Sequence, residues 1–235
     1  MPTVSFEPRT SVPRWFAYGA PLFTVLAALG VSAIPLVWLG VNPLSSYYQI
    51  FVSNPTEIRG LANILVTTVP LFLAGLAVFI PLKAGVWNIG AEGQLFVGAI
   101  IGSAIALNLE WPLYLLLPTM ILAAGFVGAA YGAIPGYLRA EHNVNEIISS
   151  LMLTFVATTF TGYLLRGPMQ GDGGQSATDR LPDAARLPTV IHPRLHIGVG
   201  LVIVIAVLIY LLINNTRLGY EITFIGSNPA AATQA

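Results

Sequence analysis

The run from Gly60 to Leu109, GLANILVTTVPLFLAGLAVFIPLKAGVWNIGAEGQLFVGAIIGSAIALNL, holds two apolar stretches on either side of a break, with Lys83 and Glu92 as its only charged residues. A helix needs about 20 predominantly apolar residues to cross roughly 30 Å of hydrocarbon, and Gly60 to Leu82 has that length. The 17 residues between Glu92 and Glu110 give only about 25 Å at 1.5 Å per residue, so the second stretch barely spans. Between the two, Pro81, Gly85, Gly90 and Gly93 interrupt helical backbone, and discontinuous spans of this kind line polar sites inside membranes. Glu92 is therefore expected below the membrane surface, not in a loop.

The rest of the chain repeats the pattern. Of 235 residues, 55% are hydrophobic and 9% charged, against about 25% charged in a soluble globular domain. The mean hydropathy is +0.76, so the chain cannot cover a compact surface with water-compatible groups and lipid must be its main solvent. A soluble enzyme is excluded. Charge-poor stretches run roughly from Phe16 to Gly40, Gly60 to Leu82, Gly93 to Leu109, Trp111 to Leu138, Ile147 to Leu165 and Leu195 to Ile213. The fold class expected is an all-α, polytopic transmembrane helical bundle of about six spans, with a discontinuous segment before the third. The first stretch is too long for a signal-peptide core and reads as a retained anchor.

Domain organisation follows from the same ruler. Residues 1–15 form an N-terminal cytoplasmic segment, 16–213 the transmembrane domain, and 214–235 a cytoplasmic tail. Residues 166–195, rich in Gly, Pro, Asp, Arg and Thr, form one extracytoplasmic loop whose composition cannot lie against lipid. This assignment counts parity from a cytoplasmic N-terminus. Charge bias does not fix it, because Arg9, Arg14, Lys83, Arg139 and Arg217 on one side match Arg59, Arg166, Arg180, Arg186 and Arg194 on the other.

Net charge is zero and Lys83 is the sole lysine, which leaves no basic stripe for nucleic acid. Cysteine is absent, and His142, His192 and His196 lack metal-ligand spacing, so neither a metal site nor a cofactor is expected. No GxxxxGK[ST] loop and no GxSxG elbow occurs, so the chain cannot hydrolyse ATP unaided and covalent catalysis is disfavoured.

Polar groups in apolar surroundings are the remaining candidates. Asn88, Glu92 and Gln94 are costly in lipid unless they face a partner helix, a watery cavity or a solute; the plainer reading is that Glu92 and Gln94 satisfy donors at a helix start. Asn143 to Glu146 reads as an asparagine variant of a capping box opening the fifth span, with Asn145 and Glu146 as secondary path candidates. Gly128, Gly132 and Gly136, and likewise Gly98 and Gly102, fall at intervals that let helices pack closely. In the tail, Asn228 suits an N-cap and Pro229 the first position of a new helix, whose alanines could dock closely into a groove.

Three segments, in this order and spacing, resemble the permease subunits of ABC importers in the ribose and branched-chain amino-acid branch, most closely its simple-sugar and nucleoside permeases. They are KAGVWNIGAEGQLFVGA (Lys83 to Ala99), GAIPGYLRAEHNVNEIISSLML (Gly132 to Leu153) and LGYEITFIGSNPAAA (Leu218 to Ala232). The resemblance implies that the segment from Asn88 to Gln94 lies near the translocation path. It also implies that Gly219, Tyr220, Glu221, Gly226, Asn228, Pro229, Ala230 and Ala231 belong to a cytoplasmic coupling segment docking on a separate ATPase. Implied partners are that ATPase, a second permease subunit and an extracytoplasmic solute-binding protein, all at a cell or inner membrane. Lys83 and Trp87 stand where the family usually has arginine and a smaller apolar residue. Family members continue through further spans, whereas this sequence stops at Gln234-Ala235, so a fragment, or a chain completed by another polypeptide, is expected.

The function expected is thus a non-enzymatic permease subunit for a small polar solute, alternating between outward-open and inward-open states. Its rivals are a secondary transporter or channel, with Glu92 carrying a proton or lining a pore, and an assembly subunit without a path. An intramembrane hydrolase lacks a convincing nucleophile and base.

Overall fold

A computed structural model describes residues 13–190 and 194–227. Its contacts divide the chain into two units, residues 1–61 and 62–235.

In the first unit, α1 (Arg14–Trp38) is long enough to span. The chain turns at Gly40, whose φ of 75° suits a residue without Cβ. Asn42 then caps α2 (Pro43–Tyr48) by accepting from the Leu44 amide at 3.0 Å. The Tyr47 hydroxyl donates to the Leu29 carbonyl at 2.6 Å and lies 2.8 Å from Ser32 Oγ, so α2 folds back along α1. A π-helical turn, Gln49–Ser53, and α3 (Asn54–Thr56) follow. This short helical stretch was not foreseen in the sequence, because residues 41–59 are too polar and too interrupted to register as a span.

Helix α4 (Ile58–Lys83) carries the chain into the second unit. There α5 (Ala91–Asn108), α6 (Leu113–His142), α7 (Glu146–Arg166) and α8 (Gly198–Asn215) supply the remaining spans. Six described helices are long and apolar enough to cross a membrane, at Phe16–Trp38, Ile58–Lys83, Ala91–Asn108, Leu113–His142, Glu146–Arg166 and Gly198–Asn215, and they coincide with the six stretches read from the sequence. Large apolar side chains such as Leu71, Phe126 and Tyr163 stand exposed on them, a surface that only lipid or partner helices can cover. The described chain is all-α, with the make-up of a multi-pass membrane protein.

The break before α5 has a definite structure. The Gly85 amide donates to Leu82 and the Val86 amide to Pro81, at 3.0 and 2.9 Å, with Gly85 at φ 73°. That is a Schellman ending, in which glycine takes the left-handed position and ends the helix. Residues 84–90 are then non-helical until α5 begins at Ala91.

Packing within the unit rests on small residues. The buried face of α5 is Ala91, Gly93, Gly98, Gly102 and Ala106; that of α7 is Ser150, Thr154, Ala157 and Thr161. A Cβ at Gly98 would stand 3.0 Å from the Ala124 carbonyl of α6, and one at Gly93 would stand 2.9 Å from Thr154 Cα. Both helices therefore approach α5 at backbone distance, as membrane helices do when hydrophobic burial gives them no drive to associate.

The short connections reverse direction each time. The break, the α6–α7 turn and α9 (Arg217–Ser227) consequently share one end of this unit. At the opposite end, Ala185 of a 3-10 turn (Asp183–Ala185) is buried with Ala106 and Leu116, so part of the long polar segment packs onto α5 and α6.

One sequence expectation moves. Asn143 does not begin the fifth span: α6 runs on to His142, and Asn143 ends it at φ 52°, a left-handed conformation its short polar side chain tolerates. Asn145 is the N-cap of α7, accepting from the Ile147 and Ile148 amides at 2.9 and 3.3 Å. In the tail, Arg217–Ser227 form a helix that the sequence did not announce. Asn228, Pro229, Ala230 and Ala231 lie outside the described residues, as does His192.

Candidate functional site

Polar side chains gather where the break meets α6 and α7. The Asn88 carbonyl accepts from the Gly90 amide at 3.0 Å, which turns the chain into α5. Its amide group donates to the Ala77 carbonyl of α4 at 3.1 Å. Six residues on, Gln94 faces it: Gln94 Nε2 donates to Asn88 Oδ1 at 3.2 Å, and Asn88 Nδ2 to Gln94 Oε1 at 3.4 Å. Both amides are half-buried. Gly132 of α6 makes this possible, because a Cβ there would stand 2.7 Å from Gln94 Nε2. The glycine read as a packing residue is thus also the seat of a polar pair.

Beside the pair lies a cavity of about 160 Å³, lined by Trp87 and Asn88 of the break, Gly132 and Gly136 of α6, and Glu146 and Ser150 of α7. Glu146 forms an ion pair with Arg139 of α6 and accepts the Trp87 backbone amide at 3.4 Å. Its side chain is only 13% exposed, against 40% for Arg139. Ser150 is buried and its hydroxyl donates to the Ile147 carbonyl at 3.3 Å. The cavity therefore offers carboxylate and hydroxyl oxygens beside an exposed indole, while the Asn88 amide in its wall is fully engaged by Ala77, Gly90 and Gln94.

Of the path candidates, Asn88, Gln94 and Glu146 are brought together. Glu92 sits in the first turn of α5 with an exposed side chain that makes no hydrogen bond or ion pair among the described residues. Asn145 is exposed and occupied in capping α7. Arg139 and Ser150 were missed; the clue was available in Arg139 and Glu146, opposite charges seven residues apart across a turn signal.

A larger cavity of about 430 Å³ lies between α4 and α8, with Leu65, Phe72, Val202 and Tyr210 among its walls. Its one α4 hydroxyl, Thr68, is turned back on the Ile64 carbonyl at 2.7 Å, so the walls give a polar solute little to bond. Among the described residues, no three His, Asp or Glu side chains gather as a metal site would require.

Four of the coupling candidates, Gly219, Tyr220, Glu221 and Gly226, fall on α9, and the other four lie outside the described residues. Gly219 is buried against the end of α8, where a Cβ would overlap the Leu212 and Ile213 carbonyls. Tyr220 stacks on Phe224 with ring centroids 5.9 Å apart, and Glu221 pairs with Arg217 at 2.9 Å. Gly226 meets the Lys83 carbonyl and places its Cα 3.5 Å from a Cβ built on Gly85, so α9 rests on the break itself.

Comparison with known proteins follows this geometry. Residues 60–235 match the family described as branched-chain amino acid transport system / permease component. A glucose ABC transporter permease of Haloferax volcanii is 49% identical, over 99% of this chain and 64% of that protein. A guanosine ABC transporter permease of Bacillus subtilis is 28% identical, over 92% of this chain and 63% of its own length. For a nucleoside ABC transporter permease of Lactococcus lactis the figures are 29%, 92% and 62%. The chain thus spans under two thirds of the length of each of these relatives. No solved structure matches it.

Proposed function

This chain belongs to the branched-chain amino acid transport permease family, and from that premise we propose that it forms part of the membrane path of an ATP-driven importer for a small polar solute, a simple sugar or a nucleoside. The observation that carries the reading is the cavity at the break, lined by Asn88 and Glu146, with Gln94 bonded to Asn88 beside it. The Asn88 and Gln94 amides are bonded to each other, and exchanging those mutual bonds for bonds to a solute would release donors and acceptors together, which suits sugar hydroxyls and the edges of heterocycles alike. The glucose permease named above, at 49% identity, makes a simple sugar the first choice. Glu92, at the mouth of α5, and Asn145, capping α7, are assigned to the margin of the path.

The mechanism is alternating access without covalent chemistry. The solute binds the two states differently, and a partner ATPase supplies the free energy that shifts their populations. The segment from Gly219 to Ala231 is assigned to the docking surface for that ATPase, on the cytoplasmic side. The segment around residues 166–195 is assigned to the opposite side, facing the solute-binding protein. A second permease subunit completes the path. Resting α9 on the break gives movement of the docking segment a direct route to Trp87 and Asn88.

Uptake of labelled sugar or nucleoside by the complete complex tests the site. Asn88→Ala is expected to raise the KM about tenfold, the loss of roughly 1.4 kcal/mol, with the complex still assembled. Unchanged KM and specificity in Asn88→Ala and Gln94→Ala would remove these residues from the path.

A further inference from the structure

Glu146 divides its two oxygens unequally. Oε1 receives both the Arg139 guanidinium and the Trp87 backbone amide, so one atom ties together α6, α7 and the break. Oε2 receives neither of these donors, and Glu146 lines the cavity of about 160 Å³. Local sequence prepares this arrangement. Arg139 lies in the last turn of α6 and Glu146 in the first of α7, where the helix dipoles favour a cation and an anion respectively. The left-handed turn at Asn143 brings the two ends together.

We propose that Arg139 is a positioning residue: it holds the Glu146 carboxylate so that Oε1 fixes the break through the Trp87 amide while Oε2 accepts a hydroxyl of the transported solute. The proposal deepens the transport reading above and rests on it. It also narrows the cargo, since a carboxylate oxygen in a half-closed cavity selects for a hydrogen-bond donor and against an anion. An arginine fits the role better than a lysine, because its guanidinium is planar, permanently charged and rigidly forked.

Reversing the pair separates positioning from simple bracing. The double variant R139E/E146R restores an ion pair between α6 and α7, but an arginine at position 146 has no acceptor for the Trp87 amide or for a solute hydroxyl. Two readouts are needed: hydrogen exchange at the Trp87 amide by mass spectrometry of the detergent-purified complex, and the KM and maximal rate of sugar or nucleoside uptake. Arg139→Gln is expected to speed Trp87 exchange and raise KM about tenfold with a smaller change in maximal rate, and Arg139→Lys to recover part of both. The reversed pair is expected to recover assembly but neither Trp87 protection nor KM. Recovery of both by the reversed pair, or unchanged exchange and KM in Arg139→Gln, would overturn the proposal. A wild-type complex that takes up neither solute would defeat the transport reading, while the exchange measurements would still decide whether Arg139 holds the break.

Discussion

Asn143 and Asn145 do opposite work two residues apart, the first ending α6 at φ 52° and the second starting α7 with its side-chain oxygen. Asn145→Ala is expected to cost about 1 kcal/mol, the usual price of a lost N-cap. Asn143→Gly is expected to cost almost nothing, because glycine adopts the left-handed region freely. Chemical denaturation in mixed micelles measures both; equal losses would contradict the assignment. The sequence reading saw a cap here but placed it two residues early, since Asn143 and Glu146 have capping-box spacing and only the length of α6 decides between them. Asn88 and Gln94 were legible as polar groups too costly to leave in lipid. Their mutual bonding was not, because it depends on Gly132 clearing room from another helix. Arg139 was legible only as a charge near one membrane face, because its partner comes into reach only through the turn.

At the scale of elements, charge spacing located all six spans, and Pro81, Gly85, Gly90 and Gly93 marked the discontinuity before the third. The physics is permissive there: a helix is the form in which a single segment satisfies its own backbone in lipid, so length and polarity decide. What charge spacing could not supply was the packing partner. Gly98 and Gly102 were read as a close-approach face, and α6 is the helix they meet, at Ala124. Gly98→Leu is expected to destabilise the bundle by about 1–3 kcal/mol through overpacking. Gly125→Ala, where a Cβ meets nothing within 4 Å, should leave stability unchanged or slightly raised, since alanine is the better helix former. Thermal unfolding of the two variants in detergent checks the pair, and equal melting would refute close approach of α5 and α6. The short helices at residues 43–56 lay beyond the ruler because it registers only long apolar runs.

For the whole molecule, the central proposal is a division of labour in which the chain supplies part of a path and a docking helix, and another protein supplies the work. Nothing in the composition could fix which face of the membrane is which, with basic residues balanced five against five across the assigned sides. The resemblance of three separated segments pointed to the family, and the match over residues 60–235 shows it. The structure adds that α9 and the polar cavity share one end of the second unit and meet at the break. The claim is tested most directly by solute uptake into proteoliposomes containing this chain with its ATPase, second permease and binding protein. Uptake is expected to stop when ATP is withheld and to continue when an uncoupler collapses the proton gradient. Uptake that persists without ATP and disappears with the gradient would contradict the account.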